Sequence, residues 1–144
     1  MYKYIVFCLV LFISTPLLSN PNQEKSPEEL RYEYTDLIIG EWKKVDSEGD
    51  VYLLSFNESD VNSSIFFREG RQDYPDVEQS GKYFVSMDCG DGIQEEDGSI
   101  KLVTVYMDRW GYLSISCDEI ISITKDKLVL KTASGTKSTY KKKK

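Results

Sequence analysis

Residues 120–131 read Ile120-Ile121-Ser122-Ile123-Thr124-Lys125-Asp126-Lys127-Leu128-Val129-Leu130-Lys131. Two apolar runs flank the polar pair Lys125-Asp126. In the second run, Leu128 and Leu130 alternate with Lys127, Val129 and Lys131, which would lie on the other face of a strand. Alternation with a period of two is typical of a strand with one face toward a core and the other toward solvent. The stretch therefore predicts two antiparallel strands joined by a short turn.

The same pattern extends over the chain from Gly40 to the C-terminus. Nine short runs of β-branched and aromatic residues alternate with turn clusters: Glu41–Val45, Val51–Asn57, Ser64–Arg68, Lys82–Met87, Lys101–Met107, Tyr112–Cys117, Ile120–Thr124, Lys127–Lys131 and Lys137–Lys141. No helical pattern separates them, so parallel crossovers have no place in the chain. Closure removes the exposed edges of so many short strands. We therefore expect an all-β fold, an antiparallel up-and-down (meander) barrel of about eight strands preceded by a short N-terminal helix.

The N-terminal 19 residues are typical of a secretory signal peptide. The unbroken apolar run Ile5–Ile13 follows a single positive charge at Lys3, and Ser19 offers a small residue for cleavage. The run is too short to span a bilayer, which takes about 20 residues. We predict a signal peptide at 1–19, a flexible lead and short helix at 20–35, and the barrel domain at 36–144. The predicted location is secreted or periplasmic, with cleavage near Ser19.

The start of the predicted helix carries its own capping signature. Ser26 can cap the first turn, Pro27 suits the first helical position, and Glu29 can complete a capping box. We expect the helix to be short, because Tyr34-Thr35-Asp36 weakens it and Gly40 ends it.

Removal of the predicted signal peptide would leave two cysteines, Cys89 and Cys117. Outside the cytoplasm such a pair favours a disulfide, which would add roughly 3–4 kcal/mol for a loop of this length. The alternative is two buried thiols that act as small apolar groups.

Composition excludes several classes of function. The chain contains no histidine, which removes the commonest general base and most zinc and copper sites. Its net charge of −6, or −7 without Lys3, argues against binding nucleic acid or anionic membranes. We predict a protein that is not an enzyme, has no cofactor or metal, does not insert into membranes after cleavage, and is a monomer.

The acidic loop Asp88–Gly98 has the oxygen ligands that calcium prefers, but a solvated loop is the simpler interpretation.

One segment resembles a known family. Ile38-Ile39-Gly40-Glu41-Trp42-Lys43 is similar to the Gly-x-Trp opening strand of lipocalins and bacterial lipocalin-like domains, which belong to the calycin type of β-barrel. The preceding short helix and the ending Ile121–Leu130 with Tyr140-Lys141 resemble those of the small bacterial members. The resemblance implies that Trp42 packs across a closed end, that Gly40 lets the chain pass beneath its ring, and that a cation from the last strand, Lys137 or Lys141, takes the place of the family's arginine.

Alternation also predicts the interior of this barrel. We expect its lining to include six inward-facing apolar and aromatic side chains: Tyr52, Leu54, Phe56, Phe67, Tyr83 and Leu102. Such an interior fits a pocket for a small apolar ligand, and it fits a filled core equally well. The first hypothesis is therefore a non-enzymatic binding protein for a small apolar molecule. The alternative is a filled barrel whose loops, where Tyr74 and Trp110 lie, bind an extracytoplasmic protein such as an exported enzyme.

Overall fold

The computed structural model describes residues 24–70, 73–90, 92, 98–108 and 110–144, and it forms one barrel. One helix, α1 (Pro27–Ile38), precedes eight strands: β1 (Gly40–Val45), β2 (Val51–Phe56), β3 (Asp60–Phe66), β4 (Val77–Ser86), β5 (Lys101–Met107), β6 (Leu113–Ile123), β7 (Lys127–Lys131) and β8 (Lys137–Lys142). Each strand pairs antiparallel with the next, and β8 returns to β1, which closes the barrel. The predicted all-β, up-and-down barrel with a preceding helix is confirmed. The predicted signal peptide lies outside the described residues.

Two of the nine apolar runs form one continuous strand, which gives the eight strands of the barrel. The runs Tyr112–Cys117 and Ile120–Thr124 form the single strand β6, which passes through Asp118 and Glu119. Two adjacent acidic residues looked like a break, but Glu119 lies beside Lys131 of β7 and forms an ion pair with it at 2.6 Å. A cross-strand partner therefore keeps the acidic pair in the sheet.

Helix α1 begins with the predicted capping box. The Ser26 hydroxyl accepts a hydrogen bond from the Glu29 amide at 3.3 Å, and the Glu29 carboxylate accepts one from the Ser26 amide at 2.8 Å. The helix continues through Tyr34 to Ile38, beyond the residues expected to weaken it. Tertiary packing overrides the weak local propensity here, since Leu30, Tyr34, Leu37 and Ile38 all pack against the barrel core. The described part of the chain has no helix with the length and apolarity to cross a membrane.

Trp42 is buried at the end of the barrel where α1 leads into β1. Its side chain is fully buried, and its indole Nε1 donates a hydrogen bond to the Ile38 carbonyl oxygen at 2.7 Å. Lys142, not Lys137 or Lys141, supplies the cation from the last strand, because Trp42 and Lys142 are direct partners in the β1–β8 ladder. Its Nζ lies 4.9 Å from the centre of the ring and donates to the Leu37 carbonyl oxygen at 3.1 Å. The lysine thus covers the indole and caps the end of the helix.

The space beside Gly40 is occupied by the Lys142 side chain, and not by the Trp42 ring as the resemblance implied. Its φ of +126° is a backbone conformation that other residues rarely adopt, and a Cβ there would lie 2.6 Å from Cε of Lys142. The glycine is therefore needed both for the entry of the chain into β1 and for the path of the Lys142 side chain.

Cys89 and Cys117 form a disulfide, with their Cα atoms 5.7 Å apart. The bond connects the segment that follows β4 to β6, on the outer face of the barrel where Cys117 lies opposite Val103 of β5. Of the two alternatives that the sequence allowed, the structure has the bonded pair. A disulfide is compatible with an extracytoplasmic location.

Candidate functional site

The barrel interior contains a cavity of about 140 Å³ that opens to solvent. It is lined by nine residues from five strands: Leu54, Phe56, Leu102, Thr104, Tyr106, Ser116, Asp118, Leu130 and Tyr140. An artificial cavity of about 150 Å³ in another protein accommodates benzene, which sets the scale of a fitting ligand. The interior therefore leaves room for a small molecule but not for the larger ligands of typical pockets, which occupy about 300–1,000 Å³.

The lining of the cavity combines apolar and polar side chains. Strand register brings them together, because on the inner face of β5 Leu102 is followed by Thr104 and then by Tyr106. The β5–β6 ladder places Asp118 opposite Leu102 and Ser116 opposite Thr104. Leu102 and Asp118 therefore lie at the same level of the barrel, and apolar and polar groups meet within one cavity. Such a cavity can hold a molecule with an apolar body and one polar group.

Two phenols and one carboxyl of the cavity lining are partly removed from water. Burial raises the pKa of Tyr140 to about 12 and also raises the pKa of Tyr106. Burial likewise raises the pKa of the Asp118 carboxyl, although the hydrogen bond from Ser116 opposes the shift. Both phenols are thus neutral hydrogen-bonding groups at physiological pH, and Asp118 is a carboxylate whose charge is disfavoured by its surroundings.

A lysine also points into the barrel, but it is engaged elsewhere. Lys44 of β1 donates from Nζ to the Ser138 hydroxyl at 3.1 Å and lies 4.3 Å from the centre of the Tyr52 ring. The Tyr140 ring is 5.7 Å from the same Nζ. Aromatic faces and a hydroxyl therefore stabilise this charge, and Lys44 is not among the residues that line the cavity.

Three of the six predicted interior residues line the cavity, namely Leu54, Phe56 and Leu102. Tyr83 is buried, packs edge-on against Phe56 with ring centres 4.9 Å apart, and donates from its hydroxyl to the Asn57 carbonyl oxygen at 2.5 Å. Tyr52 donates to the Asp46 carboxylate at 3.2 Å, beside Lys44. Phe67 follows the last residue of β3 at the open end and is 43% exposed. A role in ligand binding stays a prediction for all six.

Six cavity residues were not predicted: Thr104, Tyr106, Ser116, Asp118, Leu130 and Tyr140. The alternation that predicted an inward Leu102 also implies an inward Thr104 and Tyr106, so this signal was present in the sequence. Asp118 had no such signal, because it fell between two runs that were interpreted as separate strands.

The hairpin that joins β5 to β6 exposes a group of large apolar side chains on the outside of the barrel. Five residues at or near its tip are each 63–74% exposed: Met107, Trp110, Tyr112, Leu113 and Ile115. The carboxylate of Asp108 holds the turn by accepting hydrogen bonds from the amides of Trp110 and Tyr112 at 2.8 and 2.9 Å. Exposed apolar groups of this size in one place are typical of surfaces that bind other proteins. Tyr74, the other aromatic residue predicted in a loop, is also exposed.

The acidic loop Asp88–Gly98, which the sequence analysis considered for calcium binding, lies largely outside the described residues. Within the described ranges, no three histidine, cysteine or carboxylate side chains come together in a way that could hold a metal ion.

Comparison with known proteins adds no assignment to this geometry. No protein-family model matches the chain, and no curated protein or solved structure matches it significantly. The fold is an eight-stranded, antiparallel, closed barrel that is consistent with a calycin-like architecture on strand order and closure alone.

Proposed function

We propose that this protein is an exported, non-enzymatic lipocalin-like barrel that binds one small molecule in its interior. The cavity of about 140 Å³ carries the proposal, because its lining combines apolar with hydrogen-bonding side chains. The expected ligand has an apolar body against Leu54, Phe56 and Leu102 and a polar group toward Tyr106 and Asp118. It is therefore small and amphipathic, whereas the sequence alone predicted an apolar ligand.

Export and the absence of catalysis rest on different observations. The apolar run near the N-terminus and the Cys89–Cys117 disulfide support an extracytoplasmic location. The chain has no histidine, and the cavity lining contains a single carboxylate, Asp118. Acid–base chemistry of the glycosidase type uses two carboxyl groups, so the cavity favours binding over turnover.

Native mass spectrometry of the protein purified from its own host tests this proposal. We expect the folded protein to retain a small molecule. Ser116→Trp should lose it, because Ser116 is exposed at the opening of the cavity and a large ring there would block it. Ile115→Trp is the matched control, since Ile115 is an exposed residue on the outer face of β6 and does not line the cavity. Retention of the same mass by the Ser116 variant would place the ligand elsewhere.

The exposed β5–β6 hairpin favours a second candidate function, the binding of another extracytoplasmic protein. Its aromatic and aliphatic groups resemble the anchors that dominate protein interfaces. The double variant Trp110→Ser with Leu113→Ser should then lose a co-purifying protein and keep any small molecule. Loss of the small molecule in this variant would argue against two independent surfaces.

A further inference from the structure

Asp118 is a half-buried carboxylate for which the described residues provide no counter-ion. It lies on the inner face of β6, opposite Leu102, and accepts a hydrogen bond from the Ser116 hydroxyl at 3.2 Å. No lysine or arginine in the described ranges forms an ion pair with it. Removing a carboxylate from water is costly unless a cation or several donors compensate. A single hydroxyl is weak compensation, so the free protein leaves this charge only partly stabilised.

Lys44, the lysine that contacts the interior tyrosines, does not fill this role. Its ammonium group is held by Ser138 and by the Tyr52 ring, and it does not line the cavity. The charge that the cavity presents to a ligand is therefore the negative charge of Asp118.

The remaining polar lining is also suited to a positive group. Tyr106 and Tyr140 are neutral phenols, because burial holds their pKa values above the ordinary value. Phenol rings attract cations through their faces, as the Tyr140 ring does for Lys44 Nζ at 5.7 Å from its centre, and the phenol and hydroxyl oxygens accept hydrogen bonds from N–H groups. Leu54, Phe56 and Leu102 provide an apolar surface beside these groups.

We propose that the cavity selects a small organic cation, a protonated amine with a short apolar or aromatic body. The ammonium group would donate to the Asp118 carboxylate, and the body would pack on Leu54, Phe56 and Leu102. This inference rests on the proposed function, since it names the ligand class of the same cavity. A body about the size of one benzene ring fits the available volume.

Replacing Asp118 distinguishes a ligand-binding role from a structural role. A ligand-binding role predicts that the replacement raises the stability of the free protein, whereas a structural role predicts that it lowers this stability. Because burial raises the pKa of this carboxyl in the folded protein, its ionised form disfavours folding at pH 7, and this cost is lost as the pH falls through the raised pKa. Asp118→Asn keeps the shape and removes the charge. Without ligand, this variant should therefore melt at a temperature higher than wild type by roughly 2–5 °C at pH 7. A carboxylate that serves the fold would give a lower melting temperature when replaced.

Isothermal titration calorimetry with three matched probes tests the ligand class. Benzylamine, benzyl alcohol and benzoate share one ring and differ in the charge of the attached group. We expect benzylamine to bind most tightly and benzoate least. Asp118→Asn should weaken benzylamine roughly 10–100-fold, as expected for a lost charge-assisted hydrogen bond, and should change benzyl alcohol about 2-fold or less. Glu78→Gln, which removes an exposed carboxylate from the outer face of β4, is the charge-matched control and should change neither affinity.

The remaining outcomes contradict either the preference for a cation, the role of Asp118 or the proposed function, and they can be told apart. Equal affinity of benzylamine and benzyl alcohol, or tighter binding of benzoate, would overturn the preference for a cation and leave a binding cavity in place. Unchanged benzylamine affinity or a lower melting temperature in Asp118→Asn would remove Asp118 from the site. If wild-type protein bound none of the three probes, the preference for a cation and the proposed function would both be refuted.

Discussion

Replacing Trp42 with alanine is expected to unfold the barrel or to bring it close to unfolding. The side chain is fully buried at the closed end, where it supports the Lys142 side chain and donates to the Ile38 carbonyl. Truncation of a buried aromatic ring costs about 3–5 kcal/mol. The Ile38 carbonyl would also lose its donor, which costs about 1–3 kcal/mol if no water replaces it. The combined loss is comparable to the total stability of about 5–15 kcal/mol expected for a domain.

Urea denaturation followed by far-ultraviolet circular dichroism measures this effect without relying on tryptophan fluorescence. Trp42→Phe separates the two contributions, because it keeps most of the ring and removes the indole N–H. We expect it to remain folded and to lose about 1–3 kcal/mol. Trp110→Ala is the control, since Trp110 is 74% exposed and its loss should cost about 0.5 kcal/mol or less. If Trp42→Ala and Trp110→Ala lost equally little stability, the assigned role of Trp42 at the closed end would be refuted.

Three further predictions concern the backbone, the disulfide and export. Gly40→Ala should lower stability by about 1–3 kcal/mol in thermal or urea unfolding, because φ is +126° and the new Cβ would meet Lys142 at 2.6 Å. Adding Lys142→Ala removes the steric contact but not the backbone strain, so we expect only partial recovery. Full recovery would show that only the steric contact matters. Unfolded, unreduced protein should show no free thiol at Cys89 or Cys117 in a DTNB assay, and Cys117→Ser should lower stability by about 2–4 kcal/mol; two reactive thiols would contradict the bond. N-terminal sequencing of natively produced protein should begin near Asn20, and a sequence that begins at Met1 would rule out cleavage.

Local sequence features predicted the elements whose signals are contained within a few residues. The bounds of β5 (Lys101–Met107) and β7 (Lys127–Lys131) agree with the runs that predicted them. Their alternation is complete within each run, and side chains in a strand alternate between faces whatever the neighbouring strand is. The capping box of Ser26 and Glu29 was predictable for the same reason, since its atoms lie within one turn of helix.

The first residues of β3 and β4 are in strands because of pairing with neighbouring strands, and their local sequence did not predict this. β3 begins at Asp60 and β4 at Val77, both earlier than the apolar runs that predicted them. The added residues are mostly polar or glycine, and they remain in the sheet because each has a partner across the ladder, as Asn62 has Ser80. Polar strand residues of this kind have low propensity when considered alone, and pairing decides their conformation.

Tertiary structure alone decided what surrounds the candidate site. The sequence established an all-β meander with a tryptophan near its start, because periodicity and composition are properties of the chain itself. It did not determine that Asp118 faces inward, that Lys142 covers Trp42, or that a cavity remains beside Leu102. These features depend on the register of strands that are distant in sequence, and a shift of one residue would exchange the inner and outer faces of every side chain in a strand. The volume left in the interior depends in turn on how all eight closed strands fill it together.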